Sequence, residues 1–264
     1  MSVSVVVERA TETIGESPHW LPDRKSLLYV DCLIGGVRIW DSMTGQVNKV
    51  HLKGCVGFAA PHKDNHYVIG LNQDLCSLDW NSQNITRLAS VDSGLPTRVN
   101  DGKCDANGRL WAGTMGLFSA SPLDDPLEKR GHGSFYSLDA DGNVKRHMSS
   151  LNISNGLEWS TDSRVIYHID SVPGTLTAYD FDLSAGSLCN PRVILESRPD
   201  TLAEMGRPDG MTVDMEDKLW VACITAGKVI RLDPETGKVL RTVSVPAIKV
   251  TSCCFEARGW TNCT

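Results

Sequence analysis

One pattern returns five times along this chain of 264 residues. A polar turn leads into an aromatic or aliphatic strand, as in Pro22-Asp-Arg-Lys-Ser-Leu-Leu-Tyr-Val30, Asn107-Gly-Arg-Leu-Trp-Ala112 and Glu216-Asp-Lys-Leu-Trp-Val221. A hairpin follows each time, for example Gly36-Val-Arg-Ile-Trp-Asp41 to Gly45 and Gly227-Lys-Val-Ile-Arg-Leu-Asp233 to Gly237. Thr-Gly and Asp-Gly between alternating runs are strong hairpin signals. The pitch is roughly 40–55 residues, the period of propeller blades. No long amphipathic helix is legible. The reading is all-β: a six-bladed β-propeller whose sixth blade is incomplete.

The sixth unit is read from the two ends. Val250-Thr-Ser-Cys-Cys-Phe255 begins a strand, and the tail that follows lacks both sub-patterns. The N-terminal run Val3–Glu8 is expected to add the outer strand of that blade, with the middle strands missing. Unpaired strand edges would follow, and they invite aggregation. Residues 1–255 are thus expected to form a single domain, and 256–264 a divergent tail.

Net charge is −6, which argues against nucleic acid or an anionic membrane as partner, since both call for a basic face. No leader or membrane span is visible at the N-terminus. Nine cysteines occur without a Cys-x-x-Cys or paired Cys/His spacing. Cys32, Cys55, Cys76, Cys104, Cys223 and Cys253 fall in or beside strands and read as small buried thiols. A reducing cytoplasm is the expected compartment, and a monomer the expected state.

Four oxygen-bearing side chains share one register in the repeats: Glu16, Asp101, Asn155 and Asp209. Repeats set around an axis would carry all four to one end of it. Hard oxygens gathered in this way suit a divalent cation. Asn-Gly and Asp-Gly are also ordinary turn dipeptides, so the argument lies in the shared register rather than in any one of them. His19 and His168 read as packed or hydrogen-bonded rings. Trp20, Trp111, Trp159 and Trp220 read as blade core. Asp105 reads as the cap of the Asn107-Gly108 turn, and Lys103 as structural.

Longer stretches resemble the senescence marker protein/gluconolactonase family. They include Gly15-Glu-Ser-Pro-His-Trp20, Arg98-Val-Asn-Asp-Gly-Lys103, Ala112-Gly-Thr-Met115, Ile153-Ser-Asn-Gly-Leu157, Tyr167-His-Ile-Asp-Ser171, Pro208-Asp-Gly-Met211 and Thr251-Ser-Cys-Cys-Phe255. The resemblance implies a six-bladed propeller with one divalent cation (Zn, Mn, Mg or Ca) in the channel. It implies Glu16, Asn155 and Asp209 as ligands, Arg98 and Asn100 as substrate contacts, and Asp101 in the surrounding shell. Two departures stand out. Phe118 takes the place where relatives often carry an acid that touches substrate, leaving Asp124 or Asp125 as replacements. Relatives also continue where this chain diverges.

The expected activity is metal-dependent hydrolysis of small sugar lactones, with Asp209 taking the proton of the attacking water. Two other classes stay open: a non-enzymatic calcium-binding regulator using the same channel site, and an inactive propeller scaffold. No EF-hand loop, nucleophile elbow or phosphate loop is present.

Overall fold

The computed structural model describes residues 3–117, 131–197 and 202–256. Among them lie five antiparallel sheets, each of four strands joined in chain order. Blade 1 holds β1 (Gly15–Leu21), β2 (Ser26–Asp31), β3 (Gly36–Asp41) and β4 (Val47–His51). Blade 2 holds β5 (Val56–Pro61), β6 (His66–Leu71), β7 (Asp74–Asp79) and β8 (Ile85–Ser90). Blade 3 holds β9 (Thr97–Cys104), β10 (Leu110–Gly116), β11 (Gly133–Leu138) and β12 (Val144–Leu151). Blade 4 holds β13 (Ser154–Trp159), β14 (Val165–Asp170), β15 (Thr175–Asp182) and β16 (Ser187–Glu196). Blade 5 holds β17 (Arg207–Val213), β18 (Leu219–Ile224), β19 (Lys228–Leu232) and β20 (Val239–Ser244). The five sequence repeats are these five blades of a β-propeller.

Burial explains the order within a blade. The middle strands are apolar on both faces because each face meets a neighbouring blade; β14, for instance, buries Ile166 through Asp170. The outermost strands are largely exposed: β8 and β20 leave five of six residues open to water. Core clusters therefore lie between blades. Leu28, Val30 and Val37 of blade 1 pack with Val56, Ala59 and Ile69 of blade 2. Tyr167, Ile169 and Leu176 of blade 4 pack with Leu219, Val221 and Ile230 of blade 5. Innermost strands meet in a ring, with β1 on β5, β5 on β9, β9 on β13 and β13 on β17.

The expected sixth blade is not built among the described residues. Residues 3–10 contain no strand, and Val250–Phe255 joins no ladder. The N-terminal segment finds its hydrogen bonds elsewhere. Glu12 N and Thr13 N donate to Asp31 at 2.6 and 3.0 Å, and the Ala10 carbonyl accepts from Arg38 Nη1 at 2.9 Å. Those contacts strap it across blade 1, so it is not available as an outer strand. Val250–Phe255 does lie between the first and last blades. Gly210 N donates to the Thr251 carbonyl at 2.7 Å, and Thr251 Oγ1 donates to the Gly15 carbonyl at 2.6 Å.

Cys32, Cys76 and Cys223 are buried, and burial pushes each thiol up to about 11. Cys55, Cys104 and Cys253 keep some exposure, and Cys189, on an outer strand, is open to water. No helix among the described residues is long and apolar enough to cross a membrane.

Candidate metal and substrate site

Every innermost strand breaks register near its start. Pairing slips between Glu16 and His19 in β1, Val56 and Ala59 in β5, Asn155 and Leu157 in β13, and Pro208 and Met211 in β17. In blade 3 the slip falls opposite Val99–Gly102 of β9. A bulge bends the strand and re-aims the side chains within it. Glu16, Asn100, Asp101, Asn155 and Asp209 all sit at or within these bulges. Shared register in sequence thus becomes shared position at one end of the ring.

The Asp101-Gly102, Asn155-Gly156 and Asp209-Gly210 pairs are not turns. Gly102, Gly156 and Gly210 lie inside strands and do not take a positive φ. Their role is close approach between strands. A Cβ on Gly156 would run into the Asp209 carbonyl, and one on Gly210 into Ser252. Glycine there lets the innermost strands draw together, which brings side chains from different blades into contact.

Asn155 Nδ2 donates to Asp209 Oδ1 and, at 3.1 Å, to Ser171 Oγ, while Asn155 Oδ1 accepts from Gly156 N at 3.1 Å. Both residues are buried. Glu16 stands within Coulomb range of Asp209, Asp101 and Arg98. Burial, then the charges of Asp209 and Asp101, push the Glu16 carboxyl well above the usual carboxylate range. Asp209 is raised in the same sense by burial and Asp101. Asp101 itself is pushed up to about 6 by burial, against the pull of Gly102 N and Lys103.

These residues fit a divalent cation. Carboxylates of Glu16 and Asp209 repel each other in a largely dry setting, with Arg98 as an opposing charge near Glu16. An ion of charge +2 would relieve that conflict, and the donors are hard oxygens. Among the described residues no three His, Cys, Asp or Glu side chains form a ready cage. The set that comes together is two carboxylates and one amide, while Asp101 Oδ1 is held at 2.8 Å by Gly102 N.

Arg98 Nη1 donates to Asn100 Oδ1 and the Val99 carbonyl, both at 3.0 Å, and Asn100 Nδ2 donates to the Ser154 carbonyl at 3.0 Å. The pair is therefore braced across the seam between blades 3 and 4, and among the described residues the other guanidinium nitrogens have no hydrogen-bond partner. Further along the same strands, Lys103 Nζ meets Glu158 Oε2 at 2.6 Å. Burial works against the Lys103 ammonium, but Glu158 outweighs it and raises the pKa. Lys103 is structural, as expected, and its partner Glu158 was not anticipated.

His168 is buried, 2.7 Å from Ser154 Oγ, and burial drives its pKa down to about 3. His19 falls to about 4 through burial and the nearby Lys103. Both are neutral packed rings. Asp105 Oδ1 accepts from Asn107 N and Arg109 N at 3.0 Å, the turn cap read from sequence. Phe118, Asp124 and Asp125 lie outside the described residues. Ser171 and Thr251 carried no expected role: a serine or threonine hydroxyl has no signature until its partners are in place.

An all-β propeller with oxygen-bearing side chains gathered at one end of its inner strands defines the class. The chain belongs to the SMP-30/Gluconolactonase/LRE-like family, whose profile matches residues 14–261. Regucalcin of Homo sapiens is 41% identical over 249 residues, covering 94% of this chain and 81% of the relative. Regucalcin of Danio rerio is 39% identical over 262 residues, covering 99% and 85%. Among solved structures, a luciferin-regenerating enzyme superposes with TM-score 0.84 at 32% identity, covering 91% of this chain and 79% of that one. A calcium-binding protein, regucalcin, from Agrobacterium tumefaciens gives 0.80 at 25%, covering 90% and 77%. A gluconolactonase from Xanthomonas campestris gives 0.73 at 25%, covering 92% and 80%.

Proposed function

We propose that this protein is a metal-dependent lactonase acting on small sugar lactones. The observation that carries the reading is the meeting of Asn155 and Asp209 across two blades, with Glu16 beside them, all at inner-strand bulges. Family membership and a gluconolactonase among the solved structures support it. Glu16, Asn155 and Asp209 would hold one divalent cation, whose chemistry there is Lewis acidity toward a carbonyl and toward water. Zn, Mn, Mg and Ca are all open to that oxygen set.

The protein's own groups do the rest. Asp209 takes the proton of the water that attacks the lactone carbonyl, and returns it to the ring oxygen as the carbon–oxygen bond breaks. Arg98 binds through its free donors, its planar fork fixed by Asn100 and Val99. Asn100 aligns Arg98 and borders the substrate. Asp101 shapes the charge of the pocket from the next residue of β9. A second reading, calcium binding without turnover, draws support from the solved neighbour described as a calcium-binding protein.

The deciding assay measures lactone opening with added Zn²⁺, Mn²⁺, Mg²⁺ or Ca²⁺, on wild type and Asp209→Ala. Metal-stimulated turnover lost in the variant is the expected result. Calcium binding with no turnover favours the second reading, and the absence of both sinks the site.

A further inference from the structure

Glu16 and Asp209 belong to the first and last inner strands of the ring, β1 and β17. The other inner strands pack on one another in chain order. Between β17 and β1 runs Val250–Phe255. Two hydrogen bonds of one residue tie the strands there. The Thr251 carbonyl accepts from Gly210 N at 2.7 Å, and Thr251 Oγ1 donates to the Gly15 carbonyl at 2.6 Å. That carbonyl belongs to the peptide unit leading into Glu16, and that N–H to the unit leaving Asp209. Thr251 therefore grips the backbone one bond from each carboxylate residue.

We infer that Thr251 is a positioning residue, a two-sided clasp that sets the separation of Glu16 and Asp209 and thereby the affinity of the channel mouth for a divalent cation. The inference rests on the proposed function, since it concerns the same site. Like charges on β1 and β17 push these strands apart until a cation joins them. A full sixth sheet would resist that push through its own ladder, but none is built from the described residues. The clasp bears that load, with Cys253 Sγ donating to the Trp220 carbonyl at 3.3 Å further along the same segment. Ser252 supports it sterically, because its side chain lies against Gly210. The Thr251 hydroxyl is the part that a side-chain change can remove without altering the backbone acceptor.

The test titrates ZnCl₂, MnCl₂ and CaCl₂ into the full chain by calorimetry, with hydrogen exchange recorded on the metal-free protein. Thr251→Val keeps the branched shape and loses the donor; Thr251→Ser keeps the donor; Thr251→Cys keeps a weak one. We expect Kd to rise about ten-fold in Thr251→Val, the scale of losses on removing groups that orient metal ligands. Thr251→Ser should stay near wild type and Thr251→Cys fall between. Exchange should quicken in residues 14–20 and 207–213 of Thr251→Val, with blades 2 and 3 unchanged.

An unchanged Kd in Thr251→Val overturns the clasp while leaving the lactonase reading in place. Equal weakening in the valine and serine variants, with a matching drop in thermal stability, overturns it too, since that marks plain packing. If the valine chain does not fold, the ordering of serine against cysteine decides. Wild type that binds none of the three cations removes the site itself, and with it anything for Thr251 to position.

Discussion

Trp111 and Trp220 end the same local pattern, Asp105-Ala-Asn-Gly-Arg-Leu-Trp111 and Asp214-Met-Glu-Asp-Lys-Leu-Trp220. Each indole N–H donates to its own turn aspartate, at 3.0 and 2.9 Å. Their surroundings differ. Trp111 is fully buried at the seam of blades 3 and 4, with Phe135, His147, Trp159 and Phe181 around it at centroid distances of 4.5 to 6.4 Å. Trp220 faces the open side of blade 5, where Phe255 of the C-terminal segment packs edge-on at 5.7 Å. Trp220 and Trp20, on the two sides of this opening, both stay partly exposed. Local hydrogen bonding is thus the same in both places, and burial is not. The neighbouring blade supplies burial.

The largest effect should fall on the closed seam. Trp111→Ala is expected to cost about 3–5 kcal/mol of unfolding free energy, the range for a fully buried large aromatic. Trp220→Ala should cost about 1–3 kcal/mol, the lower value expected where burial is partial. Urea melts of the two variants compare them directly, and equal losses would break the contrast.

Next comes the cation. A ligand at a hundred times its Kd adds about 2.7 kcal/mol to stability. That gain should appear as a raised melting temperature, vanish with a chelator, and be absent in Asp209→Asn. Hydrogen exchange should slow most in β1 and β17, the strands beside the opening, and least around Trp111. Protection spread evenly over the ring would mean that the site does not bridge the opening.

Smaller again is the loss of a turn aspartate. Asp105 serves Trp111 Nε1, Arg109 and two backbone donors and is itself buried. Asp105→Ala should cost about 1–3 kcal/mol, because buried donors are left without a partner. Asp214, held down to about 2 despite burial by Arg231 and Trp220, keeps more contact with water, so Asp214→Ala should cost less. Thermal melts of the pair settle the order.

Acid also bears on the closed seam. His147, against Trp111, is lowered to about 4 by burial and then by Lys145 and Arg109; His168, against Phe135, falls to about 3. Both sit below the ordinary value near 6.5, so folding keeps them neutral. Their contribution is complete above about pH 6.5 and is lost as pH falls toward 4 and 3. His147→Gln, which cannot take a proton, should lose less stability than wild type between pH 6.5 and 4. A steeper acid loss in that variant would remove the seam histidines as the cause. Asp101, raised to about 6, works with the opposite sign and favours the metal-free fold below that pH.

Five blades were legible because each repeat carries its own turn and strand chemistry. Asn107-Gly108 before Leu110–Gly116 reads the same whether or not a neighbour is present. The oxygen cluster was legible through register, since bulges recur at equivalent steps. Trp20 and Trp220 were read as core on the same logic, but a repeat position names only the pocket a residue would fill. At the open side no adjoining sheet among the described residues fills it from the other direction. The sixth blade failed for a related reason. Val3–Glu8 has strand-forming residues, but the segment after it is tied to Asp31, Arg38 and Tyr29 of blade 1.

The chain alone determined the all-β class, the five repeats and the four residues that share a register, because these follow from contacts between near neighbours in sequence. Folding in three dimensions decided what the glycines beside Asp101, Asn155 and Asp209 are for, which tryptophans are dry, and what joins the two ends of the ring. Those outcomes depend on groups far apart in the chain, Gly15 and Thr251 above all. Only the closed path of the backbone brings such groups within hydrogen-bonding distance, and no local pattern encodes it.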